Sequence, residues 1–371
     1  MYKILILTVA ILISGINTYA INHIPPCDTT QILNKKTAKN IILMIGDGMG
    51  VAQIYAGLTA NHGKLNLEQF KTIGFSKTYS ASDYVTDSGA GATAISTGIK
   101  TINGSIAVDT AGKPLRTILE IAEDNKMSTG LVSTSAITHA TPASFIAHNV
   151  DRNKYEEIAL DFLKTDIDVF IGGGKNNFDN RKDGLNLIDE LKKKGYTVTD
   201  SINDFKNLNT NKLAGFTAKK HNPSQLNGRG DMLSIATQTA IDILKQNKKG
   251  FFLMIEGSQI DWGSHENNTE YIQQEMIDFD KAIGKALDFA REDGNTLVIV
   301  TADHETGGMT ILDGNFNMGT VDAKFTTKDH SGVMVPIFAF GPGAENFGGI
   351  IENTDIFIKM LEILHISSKK D

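Results

Sequence analysis

The chain has 371 residues, of which 41% are hydrophobic and 21% are charged, and its formal net charge is −7. This composition is typical of a soluble globular protein and excludes a fibrous or wholly disordered chain. The sequence has no long basic run, which argues against nucleic acid as a partner. Cys27 is the only cysteine, so no disulfide can form within the chain.

The first twenty residues have the pattern of a secretory signal peptide. Lys3 precedes an apolar run over residues 4–15, and the small residue Ala20 ends the segment. The run is shorter than the roughly 20 residues that span a bilayer, and no cysteine follows it directly to carry a lipid. We therefore predict export to the periplasm or beyond, without a stable membrane anchor. A buried N-terminal strand or helix is the alternative.

After a polar lead-in over residues 21–39, short apolar runs predict buried strands at residues 40–45, 251–255, 297–300 and 335–340. Helical patterns lie between them at residues 115–124, 155–164, 232–246 and 271–291. This alternation predicts an α/β fold, with one large domain over residues 40–371. Its mostly parallel central β-sheet should carry helices on both faces. Residues 166–230 have weaker periodicity and are interpreted as a peripheral insertion in this domain.

Acidic residues follow three of the predicted strands. Asp47 follows the first strand and Glu256 the second, and the pair Asp303 and His304 follows the third. The carboxyl ends of parallel strands meet at one edge of a sheet, where ligands bind in folds of this type. We therefore expect these side chains to converge, although a polar exit from a strand is the alternative for Asp303 and His304.

A second group of candidate ligands lies in two later segments. Asp261 and His265 are four residues apart, so on a helix they face the same way and form half of a zinc site. The alternative is a surface pair at a helix end. His330 lies in a loop, where a single histidine is usually only a loop residue. Glu256 adds a hard carboxylate of the kind that magnesium prefers. Taken together, these residues predict a metal centre.

Ser88 precedes the small residues Gly89, Ala90, Gly91 and Ala92. Such a run allows a closely packed helix to begin at this point, and a helix N-terminus offers free N–H groups to an anion. A serine in this position can act as a nucleophile if a metal ion activates its hydroxyl. The alternative is that Ser88 only caps the helix.

These motifs resemble those of the alkaline phosphatases, especially the compact bacterial members. The resemblance runs from about residue 40 to the C-terminus. It rests on Asp47-Gly48, Asp87-Ser88-Gly89, Thr138-His139-Ala140-Thr141-Pro142, residues 256–265, Thr301-Ala302-Asp303-His304 and His330-Ser331-Gly332.

The resemblance implies hydrolysis of phosphate monoesters through a phosphoserine on Ser88, with two Zn²⁺ and one Mg²⁺ per chain. It implies three ligand sets: Asp261, His265 and His330 for the first zinc; Asp47, Asp303 and His304, with Ser88, for the second; and Asp47, Thr141 and Glu256 for magnesium. It also implies that the planar guanidinium of Arg152 binds two phosphate oxygens. Inorganic phosphate would be product and inhibitor, and the chain would form a homodimer.

The family varies at two positions beside these ligands. His139 stands where some members carry Asp, and Trp262 where some carry Lys. We expect His139 to weaken magnesium binding or to favour zinc in its place. We expect Trp262 to change the affinity for phosphate and not the reaction.

Two other functions have to be weighed. A phosphodiesterase or sulfatase of the same superfamily is one, but residues 88–92 lack the Pro and Arg of the sulfatase pattern Cys/Ser-x-Pro-x-Arg. The other is a non-catalytic periplasmic protein that captures phosphate or metal ions. Capture does not require a nucleophile, so the position of Ser88 argues against it.

Overall fold

The computed structural model describes residues 37–367. The predicted signal peptide, most of the predicted lead-in and Cys27 lie outside the described residues. The strands are β1 (Asn40–Gly46), β2 (Thr72–Lys77), β3 (Ser128–Ala136), β4 (Val169–Gly173), β5 (Thr197–Thr199), β6 (Leu213–Phe216), β7 (Phe251–Gly257), β8 (Thr296–Thr301), β9 (Glu305–Thr306), β10 (Met309–Asn315), β11 (Thr320–Phe325), β12 (His330–Ser331), β13 (Val335–Phe340) and β14 (Gly349–Glu352).

The helices lie mostly between strands. They are α1 (Val51–Ala60), α2 (Ser88–Thr97), α3 (Ile118–Asp124), α4 (Ala140–Ala143), α5 (Tyr155–Asp161), α6 (Asn176–Asp179), α7 (Leu187–Lys193), α8 (Met232–Leu244), α9 (Gln259–His265), α10 (Thr269–Asp293) and α11 (Asn353–Leu364). Within residues 37–367, none of them is both long and apolar enough to cross a membrane.

Ten of the strands form one sheet in the order β14-β2-β13-β8-β1-β7-β3-β4-β6-β5. Every neighbouring pair is parallel except those of β13, which runs antiparallel to both β2 and β8. The predicted mostly parallel α/β fold is therefore confirmed. Two small ribbons, β10–β11 and β9–β12, stand outside this sheet.

The central strand β1 is buried on both faces. Ile41, Leu43 and Ile45 pack into the hydrophobic core on one face of the sheet, and Ile42 and Met44 into the core on the other. Each side chain of this kind contributes about 1.5–3 kcal/mol when fully buried. This explains why the sequence reads as a continuous apolar run here and does not alternate with polar residues.

The four predicted strands and four predicted helices are all present, with ends that differ by up to three residues from the prediction. Residues 166–230, interpreted from sequence as a peripheral insertion, supply β4, β5 and β6, which extend the central sheet at one side. At the carboxyl edge of the sheet, the loops that follow β1, β3, β7 and β8 carry most of the predicted site residues. The architecture thus brings together segments that are more than 200 residues apart in the chain.

Candidate metal and phosphate site

Ser88 is the first residue of α2 and is almost completely buried. Its Oγ lies 3.2 Å from Nε2 of His304, which follows β8. The helix is capped by Asp87, whose carboxylate accepts a hydrogen bond of 2.9 Å from the backbone N–H of Ala90. The capping function is therefore carried by Asp87, and the hydroxyl of Ser88 remains directed at the histidine.

The small residues of α2 let the helix approach the end of β8 closely. A Cβ atom at Gly91 would lie 3.0 Å from the carbonyl oxygen of Asp303, and one at Gly89 would lie 2.9 Å from that of Ser105. Both distances are too short for a real side chain without movement of the backbone. The small residues of α2 are therefore required for Ser88 to lie beside the loop that follows β8.

Arg152 is tied to the residue that precedes the serine. Its Nη1 donates to Oδ2 of Asp87 at 2.7 Å, and the backbone N–H of Gly104 donates to the same oxygen at 3.0 Å. The guanidinium is mostly buried. Asp87 therefore both caps α2 and orients Arg152, a double role that no feature of the sequence indicated.

The second group, which we define as Asp47, Asp303 and His304, surrounds the serine hydroxyl. Nε2 of His304 lies 3.3 Å from Oδ1 of Asp47 and 3.4 Å from Oδ2 of Asp303. Neither of these carboxylate oxygens has a hydrogen-bond partner among the described residues. With Oγ of Ser88, one nitrogen and three oxygen atoms converge, which is a donor set suited to a tetrahedral cation such as zinc.

The hydrogen bonds of Thr306 indicate which nitrogen of His304 carries the proton. The hydroxyl of Thr306 donates to Asp261, so it can only accept from Nδ1 of His304, 3.2 Å away. Nε2 then presents its lone pair to the carboxylate oxygens. Lone pairs facing one another in a buried site repel unless a proton or a metal cation lies between them.

The first group consists of Asp261, His265 and His330. Oδ1 of Asp261 lies 3.3 Å from Nε2 of His265 and 3.6 Å from Nε2 of His330. Nδ1 of His330 donates to the carbonyl oxygen of Thr86 at 2.8 Å, and Nδ1 of His265 donates to that of Lys328. Backbone acceptors of this kind orient imidazoles whose other nitrogen binds a metal.

In the metal-free protein, a proton competes for this first group. The hydrogen bond with Asp261 raises the pKa of His265 to about 9. Burial works against ionisation of Asp261, but the hydrogen bond with His265 and the nearby imidazoles hold the pKa of Asp261 below its usual value. A metal ion that binds here at neutral pH must therefore displace a proton from His265.

The third group consists of Asp47, His139 and Glu256, whose ligand atoms lie within 4.8 Å of one another. Thr141 donates to Oδ2 of Asp47 at 3.4 Å, and Ser133 donates to Oε2 of Glu256 at 2.5 Å. Oε1 of Glu256 and Nδ1 of His139 have no hydrogen-bond partner among the described residues. His139 thus lies among the candidate ligands of this group, whereas the sequence predicted a place beside them.

Burial strongly perturbs the charges of these groups. Burial, followed by repulsion from the neighbouring carboxylates, raises the pKa of Asp47 and raises that of Asp303 to about 8. Burial also lowers the pKa of His139 to about 3, so this imidazole is neutral and able to ligate. Several uncompensated anions in one buried site would each cost several kcal/mol. The unpartnered oxygen and nitrogen atoms therefore fit a cluster of divalent cations.

Trp262 follows Asp261 in α9. Its ring packs edge-to-face against His139, with centroids 6.0 Å apart, and against His221, with centroids 4.9 Å apart. Tyr155 lies 6.4 Å from both imidazoles. His221 and Tyr155 were not among the predicted site residues, because a single histidine or tyrosine far from any motif has no recognisable sequence pattern.

Comparison with known proteins identifies the family. The model of the alkaline phosphatase family matches residues 38–325 and 319–366. The chain belongs to the alkaline phosphatase family. It is 36% identical to alkaline phosphatase 3 of Bacillus subtilis, with 91% of each chain covered, and 33% identical to the alkaline phosphatase of Escherichia coli, with 88% of this chain and 86% of that one covered.

Solved alkaline phosphatases have the same architecture. The enzyme from the Antarctic bacterium TAB5 is 45% identical and has a TM-score of 0.86, with 90% of this chain and 100% of that chain covered. A cold-active enzyme from Shewanella sp. is 32% identical, with a TM-score of 0.81 and coverage of 88% and 99%. A His-to-Asp variant of the TAB5 enzyme has been solved with Mg bound in its M3 site.

This alkaline phosphatase is thus a hydrolase of phosphate monoesters, as the sequence motifs predicted. The described structure contains three groups of acidic and imidazole side chains able to bind metal ions. Its fold and its catalytic class are confirmed.

Proposed function

We propose that Ser88 is the nucleophile with which this alkaline phosphatase hydrolyses phosphate monoesters, and that a phosphoserine is formed and then cleaved by water. In the first step a bond forms between Oγ of Ser88 and phosphorus, and the bond from phosphorus to the alcohol oxygen breaks. In the second step water attacks phosphorus and the bond to Oγ breaks, releasing inorganic phosphate. The observation that carries the proposal is the position of Oγ, 3.2 Å from Nε2 of His304, the same nitrogen that two unpartnered carboxylate oxygens approach.

We infer that the first and second groups each hold Zn²⁺ and that the third group holds Mg²⁺, with Thr141 contributing to the third through its contact with Asp47. When bound, these ions would lower the pKa of the attacking hydroxyl groups and neutralise charge on the entering and departing oxygens. The protein's part is to hold the Nδ1 protons of His265, His304 and His330 on fixed acceptors, so that Nε2 of each ring faces the ion. Their Nδ1 hydrogen bonds support this assignment.

Arg152 is the residue that we assign to phosphate. Its Nη1 donates to Asp87, and the planar fork of the guanidinium has further N–H groups with which to hold two oxygens of a phosphate. Asp87 adjoins Ser88 in the chain, so the ion pair couples the orientation of the fork to that of the nucleophile. The first helical turn of α2 adds backbone N–H groups that favour an anion.

Replacement of Ser88 by alanine tests the assignment. The Ser88→Ala variant should lose roughly three orders of magnitude or more in kcat on an aryl phosphate, because covalent catalysis is lost. Ser96→Ala is a matched control, since it removes a buried hydroxyl of the same helix that bonds to the carbonyl oxygen of Ser144. The control should be less stable by about 1 kcal/mol but keep its turnover. Near-normal turnover of Ser88→Ala would remove Ser88 from this role.

The same preparation distinguishes the alternatives. Assay of a monoester, a diester and a sulfate ester in parallel should give the highest kcat/KM for the monoester. Tight phosphate binding without turnover would instead indicate a capture protein. Metal analysis of the purified chain should give two zinc ions and one magnesium ion, and a chelator should abolish activity until the metals are returned.

We further propose that the enzyme is exported and forms a homodimer. The predicted signal peptide supports export. Apolar side chains beside the site support association, because Val51, Tyr55, Val333 and Met334 are 56%, 47%, 53% and 42% exposed and line one cavity of about 680 Å³. N-terminal sequencing of the exported protein and light scattering after gel filtration test the two proposals.

A further inference from the structure

His221 reaches the metal site from a segment that has no motif. It lies between β6 and the short 3-10 helix Gln225–Asn227, within the region interpreted from sequence as a peripheral insertion. Its ring is partly buried and stands at 90° to Trp262 and at 85° to His139, with centroids 4.9 Å and 5.6 Å away. The proposed reaction assigns no role to His221.

The imidazole of His139 needs support from its neighbours. Its Nδ1 has no hydrogen-bond partner among the described residues, whereas ligand imidazoles usually take their orientation from such a bond. Three rings surround it: Tyr155 at 6.4 Å, His221 at 5.6 Å and Trp262 at 6.0 Å. The orientation of His139 therefore depends on packing against these rings.

His221 is itself held firmly. Its Nδ1 accepts a hydrogen bond of 3.0 Å from the backbone N–H of Ala136, at the end of β3. The next residue, Asn222, accepts one of 2.9 Å at its carbonyl oxygen from the side chain of Gln259, the first residue of the helix that carries Trp262. The ring of His221 is thus fixed to the sheet, and the backbone after it is fixed to α9.

A buried ion cluster anchors the same segment further along. Arg229 bonds to Glu275 and to Asp278, both in α10, and all three side chains are at most 3% exposed. Breaking a buried group of this kind is costly because it leaves an unpaired charge. The segment that presents His221 is therefore a rigid part of the domain.

We propose that His221 is a positioning residue, which together with Trp262 holds the imidazole of His139 in the orientation required to bind the ion of the third group. The proposal rests on the proposed function of that group. Loss of the His221 ring would leave space into which His139 can rotate. Loss of an outer partner of a ligand typically weakens metal binding 10–100-fold.

The test compares three substitutions that separate the ring from its hydrogen bond. His221→Ala removes both, His221→Phe keeps a ring without the acceptor, and His221→Asn keeps an acceptor without the ring. Affinity for Mg²⁺ is measured by calorimetry on zinc-loaded protein. Fluorescence of Trp262, the only tryptophan of the chain, provides a readout independent of activity. Replacement of the exposed His62 by alanine is the control.

We expect the Ala and Asn variants to bind Mg²⁺ about 10-fold more weakly and the Phe variant to stay within about threefold of the wild type. Zinc content should be unchanged in all of them, and excess Mg²⁺ should restore kcat. The emission of Trp262 should change in the Ala and Asn variants but not in the His62 control. If the Ala variant does not fold, the Phe and Asn pair carries the test.

The inference is overturned if the Asn variant binds Mg²⁺ as tightly as the wild type, or if zinc and magnesium are lost together. A wild-type protein that binds no ion beyond the two zinc ions would overturn the third group itself. Failure of the third group is distinguishable from failure of the role of His221, because it is seen in the wild-type protein before any substitution is made.

Discussion

Removal of the metal ions should make the protein lose stability as the pH rises from about 6.5 to about 8. Asp303 is one cause, because burial raises its pKa to about 8 in the folded protein, against 3.8 for an ordinary aspartate. Between these values the folded state holds a proton that the unfolded state does not. The free energy of unfolding therefore falls as pH rises, until the pH passes the folded pKa.

Between pH 6.5 and pH 8 the buried histidines contribute little to this pH dependence. Burial lowers the pKa of His139 to about 3 and that of His304 well below its usual 6.5. Below pH 6.5 these histidines are protonated in the unfolded protein but not in the folded protein. Their contribution therefore makes the unfolding free energy rise with pH, opposite to the effect of Asp303. Above pH 6.5 this contribution fades, because the unfolded histidines lose their protons. Asp303 by itself gives about 1.4 kcal/mol per pH unit, or about 2 kcal/mol from pH 6.5 to pH 8. Asp47, whose pKa burial also raises, acts in the same direction.

His265 acts in the same direction, since its folded pKa is about 9. Its side chain is 37% exposed, so solvent screening reduces its contribution. In the metal-loaded protein the ions take the place of these protons, so the loss of stability from these groups should disappear.

Urea unfolding at pH 6.5 and pH 8, with chelator or with zinc and magnesium, measures the effect. Glu123, whose pKa burial raises to about 7, contributes in both forms, so the quantity of interest is the difference between them. In metal-free Asp303→Asn, the fall in unfolding free energy should shrink by about 2 kcal/mol. Equal pH dependence of the metal-free and metal-loaded proteins would refute the argument.

Three further predictions concern individual side chains. Arg152→Lys should raise KM about 10-fold with a smaller change in kcat, because one charged hydrogen bond to phosphate is lost. An unchanged KM in steady-state assays would contradict a bidentate contact. Asp87→Ala should lower the unfolding free energy by about 1–2 kcal/mol through loss of the helix cap, and it should also raise KM. The control Asp109→Ala, in a turn, should leave KM unchanged. A stability loss with normal KM in Asp87→Ala would show that Asp87 does not orient Arg152. His139→Asp should tighten Mg²⁺ binding, because a carboxylate replaces a neutral imidazole; calorimetry that gives equal or weaker binding would contradict the assignment of His139 to the third group.

Much of the site could be predicted because its chemistry is local in sequence. Asp261 and His265 share a helical face by spacing alone, and Asp47 and Asp303 follow apolar runs that predict strands. The small residues after Ser88 likewise predict a closely packed helix. In each case the pattern involves only a few neighbouring residues, so it can be recognised in the sequence without knowledge of the fold.

Other features depend on contacts between distant segments. Asp87 bonds to Arg152 across 65 residues, and His221 meets Trp262 only because the loop after β6 crosses the carboxyl edge of the sheet. The antiparallel direction of β13 was not predicted either, since its apolar run resembles those of the parallel strands.

The sequence by itself determined the fold class, the catalytic family and the candidate ligands, because periodicity and short motifs are properties of adjacent residues. Only the tertiary structure decided which lone pairs face one another, which carboxylates are left without partners, and which rings orient His139. These are properties of burial and of distance in space. The physical reason is that a buried polar or charged group loses its water, so its partners must come from the side chains that the fold places beside it.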